Sequence, residues 1–159
     1  SVFPAPIRPC LAAPDRGTAD RLQRAADGRG VGAQAFHIYA KVGELDAILR
    51  ANPGLATRVH EIHPEVSFRA MHGGQGPHHS KHRPAGLAER RALLRTNLAL
   101  DTVALQQCQA ALPKRVGEDD LLDAMAVYWS VTRVLAQCAQ GLPESPPHDR
   151  YGLPMRIVY

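Results

Sequence analysis

Apolar and polar positions alternate along most of this chain with a period close to that of a helix. Leu22, Ala25 and Ala26 fall at helical spacing within Asp15 to Ala26, and Gly28 and Gly30 stop the pattern, which predicts a short helix. A longer one follows through Phe36, Tyr39, Ala40, Val42, Leu45, Ile48 and Leu49, closed by Asn52-Pro53-Gly54. Thr57 to His63 switches to period two, with Val59 and Ile62 apolar, and reads as one short strand ended by Pro64. Val66, Phe68, Ala70 and Met71 then fit a brief helix closed by Gly73-Gly74, and Gln75 to Pro84 has no period and reads as a surface loop. Ala85 to Leu98 is amphipathic through Leu87, Arg90, Leu93 and Leu94, and Val103 to Leu112 continues helical with Asp101 as its cap.

The longest predicted helix is Glu118 to Ala139, where Leu121, Leu122, Met125, Tyr128, Trp129, Thr132, Leu135 and Cys138 trace an apolar face. Tyr128, Trp129 and Phe68 are most simply core residues. At the ends, Ser1 to Pro14 carries four prolines and reads as extended, and Pro143, Pro146 and Pro147 mark a linker before a possible edge strand at Met155 to Tyr159. Many helices and few strands result, so a sheet built from this chain alone is too small to cover them.

Length and composition then narrow the class. The 159 residues suit a single domain, 1–159, large enough to fold on its own core. A net charge of +4 allows a polyanionic partner without demanding one. Cys10, Cys108 and Cys138 are odd in number and widely spaced, which excludes a paired disulfide framework and a CxxC knuckle and suits a reducing, cytoplasmic setting. No apolar run reaches the roughly 18–20 residues of a membrane span, so no membrane is expected as partner. Ser1 in place of Met suggests a processed or trimmed piece, and its hydroxyl beside a free amine is a candidate nucleophile that nothing else in the sequence supports.

Three constellations carry candidate chemistry. Asp120 and Asp123 open the longest helix three positions apart and share a side, a pair suited to Mg²⁺ or Mn²⁺, although acidic residues in a first helical turn are also what the helix dipole and capping favour. His60-Glu61-Ile62-His63-Pro64-Glu65 places Glu61 and His63, with Glu65, on one face of the expected strand end, as site residues or as a solvated edge. His72, His78, His79, Lys81, His82 and Arg83, followed by Arg90, Arg91 and Arg95, form a positive stretch that reads as phosphate contact or as a solvated loop and helix face. A zinc site from His78 and His82 is a weaker reading, since Gly76, Pro77 and Pro84 argue against the helix it needs.

Taken together, Glu61-Ile-His-Pro-Glu-Val-Ser-Phe68, Gly73-Gly74, Ser80-Lys81, Pro84-Ala-Gly86, Glu89-Arg90, Leu93-Leu94, Asp119-Asp-Leu-Leu-Asp-Ala124 and Trp129 resemble the domain-of-unknown-function family 429, described as predicted RNase H-like nucleases. Val2-Phe-Pro-Ala-Pro6 and Tyr151-Gly-Leu-Pro-Met155 extend the resemblance nearly end to end. It implies an α/β fold, a mixed sheet flanked by helices, with a carboxylate cluster holding Mg²⁺ or Mn²⁺ at the sheet edge. Asp120 and Asp123 match the family's last acidic pair and are expected as metal ligands with Glu61. Glu61 and Glu65 match its Glu-x-His-Pro-Glu segment, and one or the other is expected as a further ligand or to orient the attacking water. Ser80, Lys81, Arg83 and Arg90 are then the expected contacts to nucleic acid. The Val-Asp-Gly and Ile-Asp-x-Pro strand motifs that usually lead the family are missing, which implies that this chain corresponds to the C-terminal two-thirds of the domain. The expectation is a metal-dependent phosphodiesterase acting on RNA or DNA, impaired in this form and open to self-association through an uncovered sheet edge. A non-catalytic nucleic-acid-binding or scaffold module is the alternative.

Overall fold

The computed structural model describes residues 5–99 and 102–159. Ser1, most of the Val2-Phe-Pro-Ala-Pro6 motif and the Asp101 cap lie outside the described residues. Backbone proximity divides the chain into two compact units, one running to Val59 and one from His60 to Tyr159.

The first unit is helical. Helices α1 (Arg8–Leu11), α2 (Arg16–Asp27), α3 (Ala33–Ala51) and α4 (Pro53–Ala56) follow in order, so the segment expected to be extended throughout contains a helical turn at Arg8. Asp15 caps α2 by accepting the Thr18 N–H at 2.8 Å, and Gly28 closes it in the left-handed region at φ 76°. Cys10, Ala19, Val31, Ala35 and Tyr39 form the core, lined by Ile7, Leu11, Ala13 and Phe36. Gln23 is buried with them: its side-chain oxygen accepts from the Ile7 N–H at 3.1 Å, and its amide donates to Asp27 at 2.8 Å.

In the second unit, α5 (Pro64–Met71), α6 (Pro84–Leu98), α7 (Thr102–Ala111) and α8 (Glu118–Leu135) precede a two-residue antiparallel ribbon of β1 (Gly141–Leu142) and β2 (Ile157–Val158). Gly141 pairs with Val158, and Leu142 with Ile157. Helices α5, α6 and α8 pack on one another around Phe68, Leu94, Leu122 and Ala126, with Met71, Leu87, Leu93, Leu98 and Met125 at the margin. Ser67 of α5 and Ser130 of α8 cross this core with a buried hydroxyl pair at 2.8 Å.

Thr57 to His63 forms no strand: Thr57 ends α4, a turn follows, the His63 carbonyl accepts from the start of α5, and the segment meets β2 where the Glu61 carbonyl accepts the Val158 N–H at 2.8 Å. One such bond does not make a ladder, and period-two alternation has no meaning without a paired neighbour. Helix α8 stops at Leu135 because Gln137 turns left-handed at φ 58° and the Cys138 N–H folds back onto the Arg133 carbonyl. Its buried stripe is Leu122, Ala126, Trp129 and Ser130, while Tyr128 is 60% and Leu135 78% exposed, so Tyr128 is not a core residue. Among the described residues the ribbon is the only sheet, which makes the chain helix-rich with a small β component.

Candidate functional site

The site is built where the loop between α5 and α6 meets the start of α8. Gly117 opens α8 and is followed by three acids, the side chains of which go to different places. Glu118 is ion-paired with Arg91 of α6. Asp120 turns back to accept the Gly117 N–H at 3.2 Å, the capping role that its place in the first turn allows. Asp119 faces the loop, 4.0 Å from the Lys81 ammonium and 3.9 Å from His82 Nδ1. One turn on, Asp123 Oδ2 accepts from Lys81 Nζ at 2.7 Å, while its Oδ1 is buried and has no hydrogen-bond partner.

Asp119 and Asp123, four apart, therefore converge on Lys81, and the expected pair Asp120 and Asp123 does not. Both spacings bring residues to the same side of a helix, but residue 120 stands at the third position, where a carboxylate is drawn to the free N–H of the helix start. The i, i+4 spacing of Asp119 and Asp123 is the signal in the sequence that marks Asp119.

The loop that delivers Lys81 is held by side chains of α6 and by its own backbone. Glu89 accepts the His78 and His79 N–H groups at 2.8 and 3.1 Å. Arg90 donates to the His79 and Gly86 carbonyls, both at 3.0 Å. The Arg83 N–H closes a turn onto the Ser80 carbonyl at 2.9 Å. Gly86 lets that turn lie on α6: a Cβ there would sit 2.6 Å from the Ser80 carbonyl carbon and 2.9 Å from the His79 oxygen.

Beneath the loop, Arg90 grips Glu65 in a forked pair, with contacts of 3.1, 2.8 and 2.7 Å, and lies over the Phe68 ring at 5.4 Å. The residue is 3% exposed, so Arg90 acts as an internal strut and not as a surface contact. Ser80 and Arg83 are exposed. Glu61 is exposed as well, and no hydrogen bond or ion pair among the described residues joins it to the acids of α8. His78 and His82 do not converge: His82 faces Asp119, and His78 packs against His72 with ring centroids 5.3 Å apart.

The electrostatics follow from these contacts. The hydrogen bond to Asp123 raises the Lys81 pKa, burial opposes it, and the charges of Asp123, Asp119 and Glu65 add to the rise. Lys81 is thus a firmly charged ammonium among carboxylates. The same oxygens suit a hard divalent cation, and the unpaired Asp123 Oδ1 is the atom best placed to gain from one. Asp120 and Glu61 fit that role less well, one engaged at the helix start and the other outside the cluster. A cleft of about 640 Å³ in the second unit, lined by Arg69, Trp129, Arg133 and Tyr159 among others, contains none of these acids.

A helix-rich chain with an acidic helix start facing a lysine-bearing loop is the class that fold and site define. A family model described as "Protein of unknown function (DUF429)" matches residues 1–150, and the chain belongs to that family. No curated protein and no solved structure matches it. No helix among the described residues is long and apolar enough to cross a membrane.

Proposed function

We propose that this protein is a metal-dependent nucleic-acid hydrolase of the RNase H-like type, with Asp123 at the centre of its site. The observation that carries the reading is the division of labour within one carboxylate: Oδ2 grips Lys81, and Oδ1 is buried without a partner. Asp123 and Asp119 would hold Mg²⁺ or Mn²⁺, with Asp120 and Glu61 as further carboxylates to recruit. Divalent metal held there would supply an activated water and charge stabilisation at the leaving oxygen.

The chain's own groups do the rest. Lys81, on a flexible four-carbon stem, exchanges Asp123 for a phosphate oxygen when the polyanion arrives, which frees the carboxylate. Exposed Arg83 and Ser80 on the same turn contact the backbone next to it. Glu65, fixed by Arg90, contributes negative charge without leaving its partner. With Asp120 engaged at the helix cap and Glu65 by Arg90, turnover by this chain alone is expected to be slow, so metal binding is the primary readout.

Mn²⁺ is expected to broaden the NMR signals of Asp119 and Asp123 first, with Asp123→Asn weakening binding at least about tenfold, alongside slow Mn²⁺-dependent nicking of labelled RNA, DNA or branched DNA. Absence of broadening at α8 together with absence of nicking would overturn the reading. A second reading is favoured by the same Lys81: an ammonium already seated among the carboxylates suits a non-catalytic nucleic-acid-binding module. Binding that falls steeply with salt, needs no metal and survives Asp123→Asn would select it.

A further inference from the structure

We propose that His72, His78 and Glu89 form a site for a transition-metal dication of the Zn²⁺ class, which staples the loop between α5 and α6 to α6. The site shares no residue with the acids of α8, and the proposal stands whether or not the chain is a nuclease. One donor atom from each of the three residues lies within 4.8 Å of the other two. They come from separate places, the residue closing α5, the loop itself and the second turn of α6, so a shared ion would join three segments.

A second observation points to a ligand. His72 Nδ1 is buried and has no hydrogen-bond partner, so one ring nitrogen has a lone pair or a proton to place. The His78 ring stands edge-on to it, 88° between planes, an arrangement that lets a nitrogen of each ring reach a common point from different directions. Glu89 is anchored beforehand, because its two oxygens accept the His78 and His79 N–H groups and each keeps a lone pair. Burial pushes the Glu89 carboxyl upward, and the two N–H groups together with the charge of the His78 and His79 rings hold it below its ordinary value.

The donor set decides the kind of ion. Two imidazoles and one carboxylate suit zinc and its neighbours, whereas magnesium and calcium take oxygen. Zn–N and Zn–O bonds of about 2.0–2.2 Å in a tetrahedron place donors roughly 3.3 Å apart. Drawing them in from separations of at most 4.8 Å takes a shift of no more than about 1.5 Å, and the side chain of exposed His78 can supply it. The fourth position goes to water. Holding His78 against Glu89 also fixes the turn at Ser80 and Lys81, since His79 and Ser80 continue the same backbone.

The test uses the full untagged chain, stripped with a chelator and titrated with Zn²⁺ against a chromophoric competitor, and with Co²⁺ followed by visible absorption. The expected result is one ion per chain held against the competitor, a four-coordinate Co²⁺ spectrum, and affinity reduced at least about tenfold in His72→Ala and in His78→Ala. Exposed His37→Ala, and Asp123→Asn, should bind as the parent does, and slower hydrogen exchange from residue 74 to 80 should accompany binding. Circular dichroism of His78→Ala, a surface change, separates lost ligation from lost folding. Failure to bind one equivalent, undiminished affinity in a folded His78→Ala chain, or loss in Asp123→Asn with retention in both histidine variants overturns the proposal.

Discussion

Replacing Gly86 with alanine tests how the lysine-bearing loop is held. The new methyl would lie 2.6 Å from the Ser80 carbonyl carbon, closer still to its oxygen, and 2.9 Å from the His79 oxygen. All of these are backbone atoms, so no side-chain rotation relieves the clash. Carbon contacts settle near 3.5 Å, and the loop must retreat by roughly 1 Å. Overpacking of this kind costs about 1–3 kcal/mol. The retreat also stretches the 3.0 Å bond from Arg90 to the His79 carbonyl, leaving a buried guanidinium short of an acceptor at a further cost of about 1.5–3 kcal/mol. Alanine recovers about 0.5–1 kcal/mol through its helix propensity. The net loss is about 2–5 kcal/mol, a large share of the roughly 5–15 kcal/mol of a folded domain. Trp129, the only tryptophan, lies in the unit that contains the loop and reports its urea unfolding. With a slope near 2 kcal/mol per molar, the midpoint should fall by about 1–2.5 M. Gly76→Ala, which meets nothing within 4 Å, should stay within about 0.5 kcal/mol of the parent. A Gly86→Ala midpoint within about 0.3 M of the parent would refute this account of the loop.

Two further predictions follow from buried and charged groups. Ser67→Ala leaves the Ser130 hydroxyl unpaired in a core where both residues are fully buried, for a loss of about 1–3 kcal/mol. The double change with Ser130→Ala should cost less than the two single losses added together, and strict additivity in urea melts would count against the hydroxyl pair. In the first unit Asp15, Asp20 and Asp27 sit below the ordinary carboxylate value, held there chiefly by the Thr18 N–H, the Arg24 side chain and the Arg29 N–H respectively. A lowered folded-state pKa means a contribution to stability that is present above the unfolded value of about 3.9 and lost as pH falls through the folded one. The amide resonances of Thr18 and Val31, which donate to Asp15 and Asp20, should therefore titrate with midpoints below about pH 3.9; midpoints above 4.3 would contradict these bonds.

The helices were legible in the chain because each depends on nearby residues. Period, caps and stops place α2, α3, α5, α6, α7 and α8 close to where they form, and the glycines after α2 and α5 take the left-handed turns that end them. The acids at the start of α8 and the basic loop before α6 were legible for the same reason, as was the membership that residues 1–150 confirm. What a strand or a site needs is a partner distant in sequence, and that was invisible. Thr57 to His63 has the alternation of a strand, but among the described residues one bond from Val158 to Glu61 is too little to make a ladder. Residues 119, 120 and 123 look equivalent on a helix until the free Gly117 N–H takes one of them and Lys81, 42 positions away, takes another. Arg90 reads as one more surface cation until folding closes Glu65 around it. Local periodicity settles which segments coil; only packing decides which charges meet, because Coulomb and hydrogen-bond energies depend on separations of a few ångströms in space that positions along the chain do not record.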